Sequence, residues 1–346
     1  MRPRKVPQTK KPRKKARNER IEGGLISPRF FGLSMRLSAT AALLAIFLLA
    51  STAPTVAALP AVPVENGMIF GGQSTEAANA TVSTSNLSDL PAVVEVYTAT
   101  WCENCVYVEH ALDELYVDGL IAPYHIHSTL SDPFGDDTLE QRFRDRYVHL
   151  TDYSHSPPGT VFNGTMKKAG SVPDSDVHDN EHDNRVEEFT GLAQQDLGLG
   201  VGTTMFSWTP TTDNSGTIGW ALDINDTHME NMTLNVVAWV VESAADYDGS
   251  NGQGTYPHIV RDMVSLGSET EGTATLTLPA AHDGDDLEIH LVYEIMPIVI
   301  EEPTQPSDEG NESEDTPALS MVSTIMTVGL ALAFSRKGRQ DRRVLD

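Results

Sequence analysis

The sequence predicts an α/β (α+β) domain followed by a small antiparallel β-sandwich, set between an N-terminal signal and a C-terminal transmembrane helix. Three observations carry this. From Ala92 to about Gly198 short β-prone runs alternate with stretches of helical spacing. From Val201 to Ile300 the helical spacing disappears and apolar and polar residues alternate at period two. Outside these stretches lie two apolar runs flanked by Arg and Lys.

Charge divides the 346-residue chain in the same way. The formal net charge is −25, but residues 1–36 carry 12 Lys/Arg against 2 Asp/Glu, and residues 59–315 carry 7 against 45. A body this acidic lacks the clustered cations that grip phosphate backbones, so nucleic acid is excluded as a partner. Two cysteines exclude a disulfide-rich scaffold.

Residues 1–58 read as a basic n-region and signal peptide, or a signal anchor. The apolar run Ala41–Ala50 follows Arg36, and Val56-Ala57-Ala58 supplies the small residues of a cleavage site. Met35 is an alternative start to Met1. Residues 59–90, rich in Ala, Ser, Thr and Asn, read as a linker.

Within residues 91–198 the elements follow in order. Val93–Thr98 is a strand. Glu103–Leu115 is a helix with Val106, Leu112 and Leu115 on one side. Ile121–His127 is a second strand, Asp136–Tyr147 a polar helix, Thr160–Phe162 a short strand closed by the turn pair Asn163-Gly164, and Asn184–Leu197 a third helix. Within residues 199–300 the strands are Thr217–Ile224, Thr233–Glu242, Gly272–Leu278 and Asp286–Ile295. Residues 301–316 hold seven acids and form an acidic, Pro-containing stalk. Residues 317–335 are uncharged and long enough to cross a bilayer, and the basic tip 336–346 places that end in the cytoplasm. The expected location is therefore the cell membrane, with a single pass near the C-terminus and the bulk of the chain extracellular. Six N-glycosylation sequons, at Asn79, Asn86, Asn163, Asn225, Asn231 and Asn311, agree with export.

The chemistry concentrates in Tyr97-Thr-Ala-Thr-Trp101-Cys102-Glu-Asn-Cys105, where a strand ends and a helix starts. Two residues between cysteines on a first helical turn bring the sulfurs within bonding distance. The helix N-terminus, with its free N–H groups and partial positive charge, lowers the pKa of the first thiol. Cys102 is then the attacking nucleophile and Cys105 the resolving thiol. Trp101 shields one side of the pair. Downstream, Pro157 and Pro158 precede the strand Thr160–Phe162, an arrangement that resembles the thioredoxin fold, which implies a cis-proline facing the sulfurs at Pro158, with Pro157 as the alternative. Two other uses of the pair stay open: a structural disulfide, and metal capture with His125 and His127 as added ligands. Asp246–Pro257 begins like a calcium loop but lacks its glycine and terminal glutamate.

On these motifs, residues 92–198 resemble the thioredoxin-like superfamily. The stretch 92–296 is similar to the outer membrane protein 28 family, which joins such a domain to a C-terminal β-domain. The matching pieces are Val94–Cys102, Tyr124–His127 with Asp132-Pro-Phe134, Pro158–Gly164, Val237–Glu242 and Tyr256–Arg261. Glu103-Asn104 departs from the Gly-Pro of thioredoxins proper. The resemblance implies an exported, membrane-anchored protein whose Cys102–Cys105 disulfide exchanges with the thiols and disulfides of exported proteins. Catalysis falls to Cys102, Cys105 and Pro158, substrate contact to Trp101 and Pro157, with no cofactor and no metal. The rival expectations are a non-catalytic surface binding or adhesion protein and an exported metal chaperone.

Overall fold

The computed structural model describes residues 58–147, 156–212, 214–225 and 229–298. The expected signal, stalk, transmembrane segment and basic tip lie outside the described residues, apart from Ala58 at the signal's end. Among the described residues no helix is long and apolar enough to cross a membrane.

The strands are β1 (Val62–Pro63), β2 (Met68–Glu76), β3 (Thr81–Asn86), β4 (Ala92–Thr98), β5 (Ile121–His127), β6 (Gly159–Phe162), β7 (Met166–Ala169), β8 (Thr203–Thr212), β9 (Ser215–Asp223), β10 (Met232–Asp246), β11 (Thr255–Gly267), β12 (Glu271–Thr277) and β13 (Leu287–Pro297). The helices are α1 (Glu103–Val117), α2 (Asp137–Tyr147) and α3 (Glu181–Ala193), with a short 3₁₀ turn at Leu87–Asp89. The strands form two sheets. One has nine strands in the order β1-β7-β6-β4-β5-β11-β10-β13-β2, and the other four in the order β12-β9-β8-β3.

This corrects the expected fold class. The chain is mostly β, with 45% of the described residues in strands and 18% in helices, and it is not an α/β domain followed by a self-contained sandwich. β10, β11 and β13 do not pair only among themselves. β11 runs parallel to β5 at Ile259↔His125, so the two stretches share one sheet. The segment expected as a linker also supplies strands. β2 completes the far edge against β13, and β3 completes the four-stranded sheet against β8. The physical reason is edge closure. An uncovered β5 edge and an uncovered β13 edge present unpaired N–H and C=O groups. Period-two patterning shows which face of a strand is buried, not which strand lies beside it.

Burial explains the composition of each strand. Every residue of β4 is buried, because helices cover both of its faces, and its sequence AVVEVYT is correspondingly apolar. Val94 and Val96 face α1 and α3, packing with Val108, Leu112, Leu115, Phe162 and Phe189. Val93 and Tyr97 face the other way, toward Leu139, Phe143 and Tyr147 of α2. That second face continues into β10 through Val237, Trp239 and Val241. The alternate residues of β10, Val236, Ala238 and Val240, pack with Phe206, Trp208, Ile218 and Trp220 of the four-stranded sheet. β10 is thus sandwiched as β4 is, and at 15 residues it is the longest strand among the described residues.

α2 is anchored by buried charge. Arg142 pairs with Glu95 of β4 and with Glu294 of β13, and its guanidinium lies 5.2 Å over the Trp239 ring. Tyr147 donates to Glu95, and Asn235 to Glu294 at 3.0 Å. One helix therefore ties strands from both halves of the large sheet.

Candidate functional site: the Cys102–Cys105 disulfide and its hairpin clamp

The site grows from the end of β4. Beyond Thr98 the chain turns through Ala99-Thr100-Trp101 and enters α1 at Cys102, which is the N-cap residue with extended backbone (φ −88°, ψ 100°). Its sulfur takes the place of the usual capping oxygen and accepts the Cys105 N–H at 3.2 Å. Cys102 and Cys105 are joined by a disulfide with Cα atoms 5.3 Å apart. Cys102 keeps 6% of its surface exposed and Cys105 none. An incoming sulfur therefore meets Cys102 first.

Trp101 is 36% exposed and donates its Nε1–H to the Leu130 carbonyl at 2.7 Å, beside the pair. Pro158 is buried and Pro157 half-buried, and the bond between them is cis. Gly159 of β6 pairs with Tyr97 of β4, so the register puts Pro158 at the end of β4 from which the cysteine loop departs. The fold thus brings Trp101, Cys102, Cys105, Pro157 and Pro158 to one end of one strand. Asn163, in the turn after β6, has φ +50° and is buried. It holds Val93 through both its backbone N–H (2.7 Å) and its side-chain oxygen (2.9 Å). Gly164 follows with φ +67°, where a Cβ would lie 2.9 Å from Ile69.

Three further side chains frame the motif. Thr100, two residues before Cys102, is held on both sides. Its N–H donates to Asp132 at 2.6 Å, and its carbonyl accepts from the Asn251 N–H at 3.2 Å and the Tyr256 hydroxyl at 3.3 Å. Burial opposes charge on Asp132. Its contact with His127 at 3.1 Å and the N–H groups of Thr100 and Phe134 outweigh that and hold the carboxyl below its ordinary range. Asn251 and Tyr256 belong to the tip of the β10–β11 hairpin, where the Tyr256 hydroxyl donates to Asn251 at 2.6 Å. The hairpin thus clamps the loop that carries the cysteines.

Glu109 is a buried carboxylate, 1% exposed. It sits four residues after Cys105 on α1, hence on the same helix face, with Cβ atoms about 5–6 Å apart in an ideal helix. One carboxylate oxygen accepts from the Thr98 hydroxyl and the other from Gln253 Nε2 at 3.0 Å. Both partners donate, which is the arrangement an ionised carboxylate requires. Sequence reasoning missed Glu109, Asn251, Gln253 and Tyr256. Glu109 had a readable signal, a charged residue between Val108 and Leu112 on the apolar face of a helix. Tyr256 was visible only as part of the matching stretch Tyr256–Arg261, and Asn251 and Gln253 had no signal, since nothing local links Gln253 to a site 144 residues earlier.

Of the histidines considered as metal ligands, His127 meets Asp132 through Nδ1 at 3.1 Å while its Nε2 is buried without a hydrogen-bond partner, and His125 packs edge-on to His258 with ring centres 5.9 Å apart. Among the described residues no group of three or more His, Cys, Asp or Glu is arranged to hold a metal ion. His182 pairs with Glu114 at 2.6 Å on the surface.

No family model matches the chain, and no curated protein matches it. Two solved structures are similar over about two thirds of it. Protein AGR_C_4864 from Agrobacterium tumefaciens is 18% identical with a TM-score of 0.37, over 65% of this chain and 97% of its own. HBP35 of Porphyromonas gingivalis is 15% identical with a TM-score of 0.38, over 66% of this chain and 80% of its own.

Proposed function

We propose that this protein is a thiol–disulfide oxidoreductase acting on the thiols and disulfides of exported proteins. The observation that carries the reading is the asymmetric disulfide on the first turn of α1: Cys102 as N-cap with 6% of its surface exposed, Cys105 fully buried, and a buried carboxylate one turn further on.

The steps balance without a cofactor. A substrate thiolate attacks the Cys102 sulfur, the Cys102–Cys105 bond breaks, and Cys105 leaves as a thiolate that takes a proton. The second substrate thiolate then attacks the mixed disulfide, and Cys102 leaves as a thiolate stabilised by the Cys105 N–H and the helix N-terminus. Two electrons pass from the substrate dithiol to the pair. Run in reverse, the same steps reduce a substrate disulfide, and Glu109, buried one turn after Cys105 on the same helix face, is the carboxylate assigned to receive the Cys105 proton. The membrane location forms part of the same proposal. It rests on the uncharged stretch 317–335, the basic tip after it and the signal-like N-terminus.

One observation favours a rival. With 6% and 0% exposure, the pair is as well covered as a structural bond in a binding protein. Trapping separates the two. A Cys105→Ser variant leaves Cys102 without its resolving partner. The proposal expects it to accumulate mixed disulfides with exported proteins, whereas Cys102→Ser accumulates none. Absence of adducts in both variants contradicts the proposal and favours the structural bond.

A further inference from the structure

Gln253 reaches the site from the β10–β11 hairpin, and one end of its amide is out of balance. Nε2 donates to Glu109 at 3.0 Å, while Oε1 is buried with no hydrogen-bond partner. Its hairpin neighbour Asn251 shows the complementary lack, with Nδ2 buried and unpartnered. Both oxygens of Glu109, the Thr98 and Tyr256 hydroxyls and Asn251 Oδ1 are all paired. Buried orphan atoms of this kind are uncommon and call for a reason. A primary amide carries a donor and an acceptor on one planar group, so half a turn about its last torsion exchanges them. Against a carboxylate only the N–H end fits. Against a carboxylic acid, whose O–H donates, the oxygen end fits.

We propose that Gln253 is a two-state partner of Glu109, donating to the carboxylate and, turned over, accepting from the protonated acid. This rests on the oxidoreductase reading and names the residue that lets Glu109 hold a proton. In the resolving step of substrate reduction the Cys105 thiol gives its proton to Glu109 as its sulfur attacks Cys102. The Cys102–Cys105 bond forms, the bond from Cys102 to the substrate sulfur breaks, and the substrate leaves as a thiolate. The electrons come from the protein dithiol, so no further reductant enters the step. Gln253 touches neither sulfur and is a positioning residue. It makes the large β-hairpin part of the redox site.

The test uses the full-length protein and oxidised glutathione as the disulfide, with exchange rates followed across about pH 5–9. Gln253→Leu keeps the bulk and removes both hydrogen-bonding modes. It is expected to slow the resolving step roughly tenfold or more, the factor for one lost charge-assisted hydrogen bond, and to move the apparent pKa of that step. Gln253→Glu puts two carboxyls on one proton and is expected to raise that apparent pKa by about one unit or more. Wild-type pH profiles in both variants overturn the inference while leaving the oxidoreductase reading intact. Absence of exchange by the wild-type protein overturns both. If the variants do not fold, the side-chain amide signals of Gln253 in the reduced wild-type protein decide by NMR. Signals that titrate together with the exchange rate support the turning amide, and signals that stay constant with pH overturn it.

Discussion

Gly249, in the hairpin tip, is where a single methyl group tests the clamp. A Cβ placed there would lie 1.6 Å from the Tyr256 hydroxyl oxygen and 2.8 Å from the Thr100 carbonyl. Tyr256 has no slack, being 1% exposed and bonded to both Asn251 and Thr100. Gly249→Ala therefore forces either the ring or the hairpin backbone aside. Overpacking of this kind costs about 1–3 kcal/mol, and displacing the tyrosine hydroxyl from buried partners adds about 1–3 kcal/mol. The expected loss is about 2–6 kcal/mol in urea unfolding of the full-length protein. Gly252, three residues on, supplies the control. It has φ +91° but nothing within 4 Å of an added Cβ, so Gly252→Ala carries backbone strain alone, about 1–2 kcal/mol. The Gly249 variant should also speed alkylation of Cys102 after mild reduction, because Thr100 loses its anchor. A Gly249→Ala protein as stable as wild type, or less perturbed than Gly252→Ala, would refute the clamp.

Other expectations follow from burial and charge. His125 and His258 are both held near pKa 3, chiefly by burial and then by neighbouring histidines, with Glu288 acting in the opposite sense on His258. Their unfolded value is 6.5. The unfolded chain thus binds more protons between these limits, and stability present above pH 6.5 is lost as pH falls toward 3. The slope is about 1.4 kcal/mol per pH unit for each histidine. Urea midpoints at neutral and mildly acidic pH check this, and His125→Gln should flatten the slope. Arg142→Met leaves Glu95 buried without its cation and Glu294 with only Arg146 at 3.6 Å, and should cost about 3–5 kcal/mol by the same unfolding assay. Asn163 is 3% exposed and its side chain is engaged, so mass spectrometry of protein from a glycosylating host should find it bare, whereas the exposed Asn79, Asn86, Asn225 and Asn231 are open to modification.

Much of the helical half was legible in the chain, and the reason is local. Ile121–His127 is β5 at the bounds its pattern suggests, and Glu103 opens α1 at the motif that nucleates it. The strands left unread have identifiable causes. β11 carries Pro257, and its consecutive Ile259 and Val260 are both buried, in separate clusters with Phe134 and Tyr256 and with Trp239 and Val241, so no alternation shows. β3 alternates between half-buried and exposed residues but is built from Ser, Thr and Asn apart from Val82, which is exposed, so its pattern carries no apolar signal for the buried face. β2 is Gly-rich where its edge meets β13. The sharing of one sheet by both halves depends on pairings such as His125 with Ile259, which no window of sequence contains. The same holds for the site. Cys102, Cys105 and Pro158 announce themselves by residue type and spacing. Gln253 and Tyr256 acquire their place only when the hairpin folds back over Thr100.

The most direct test of the account is the reduction potential of the Cys102–Cys105 pair in the full-length protein, read by alkylation after equilibration in graded thiol buffers. A working exchange site should fall between about −120 and −270 mV, with Cys102 alkylating first once the bond is opened. A value below about −300 mV, together with no reaction toward a model disulfide, would contradict the oxidoreductase account and leave the pair as a structural bond.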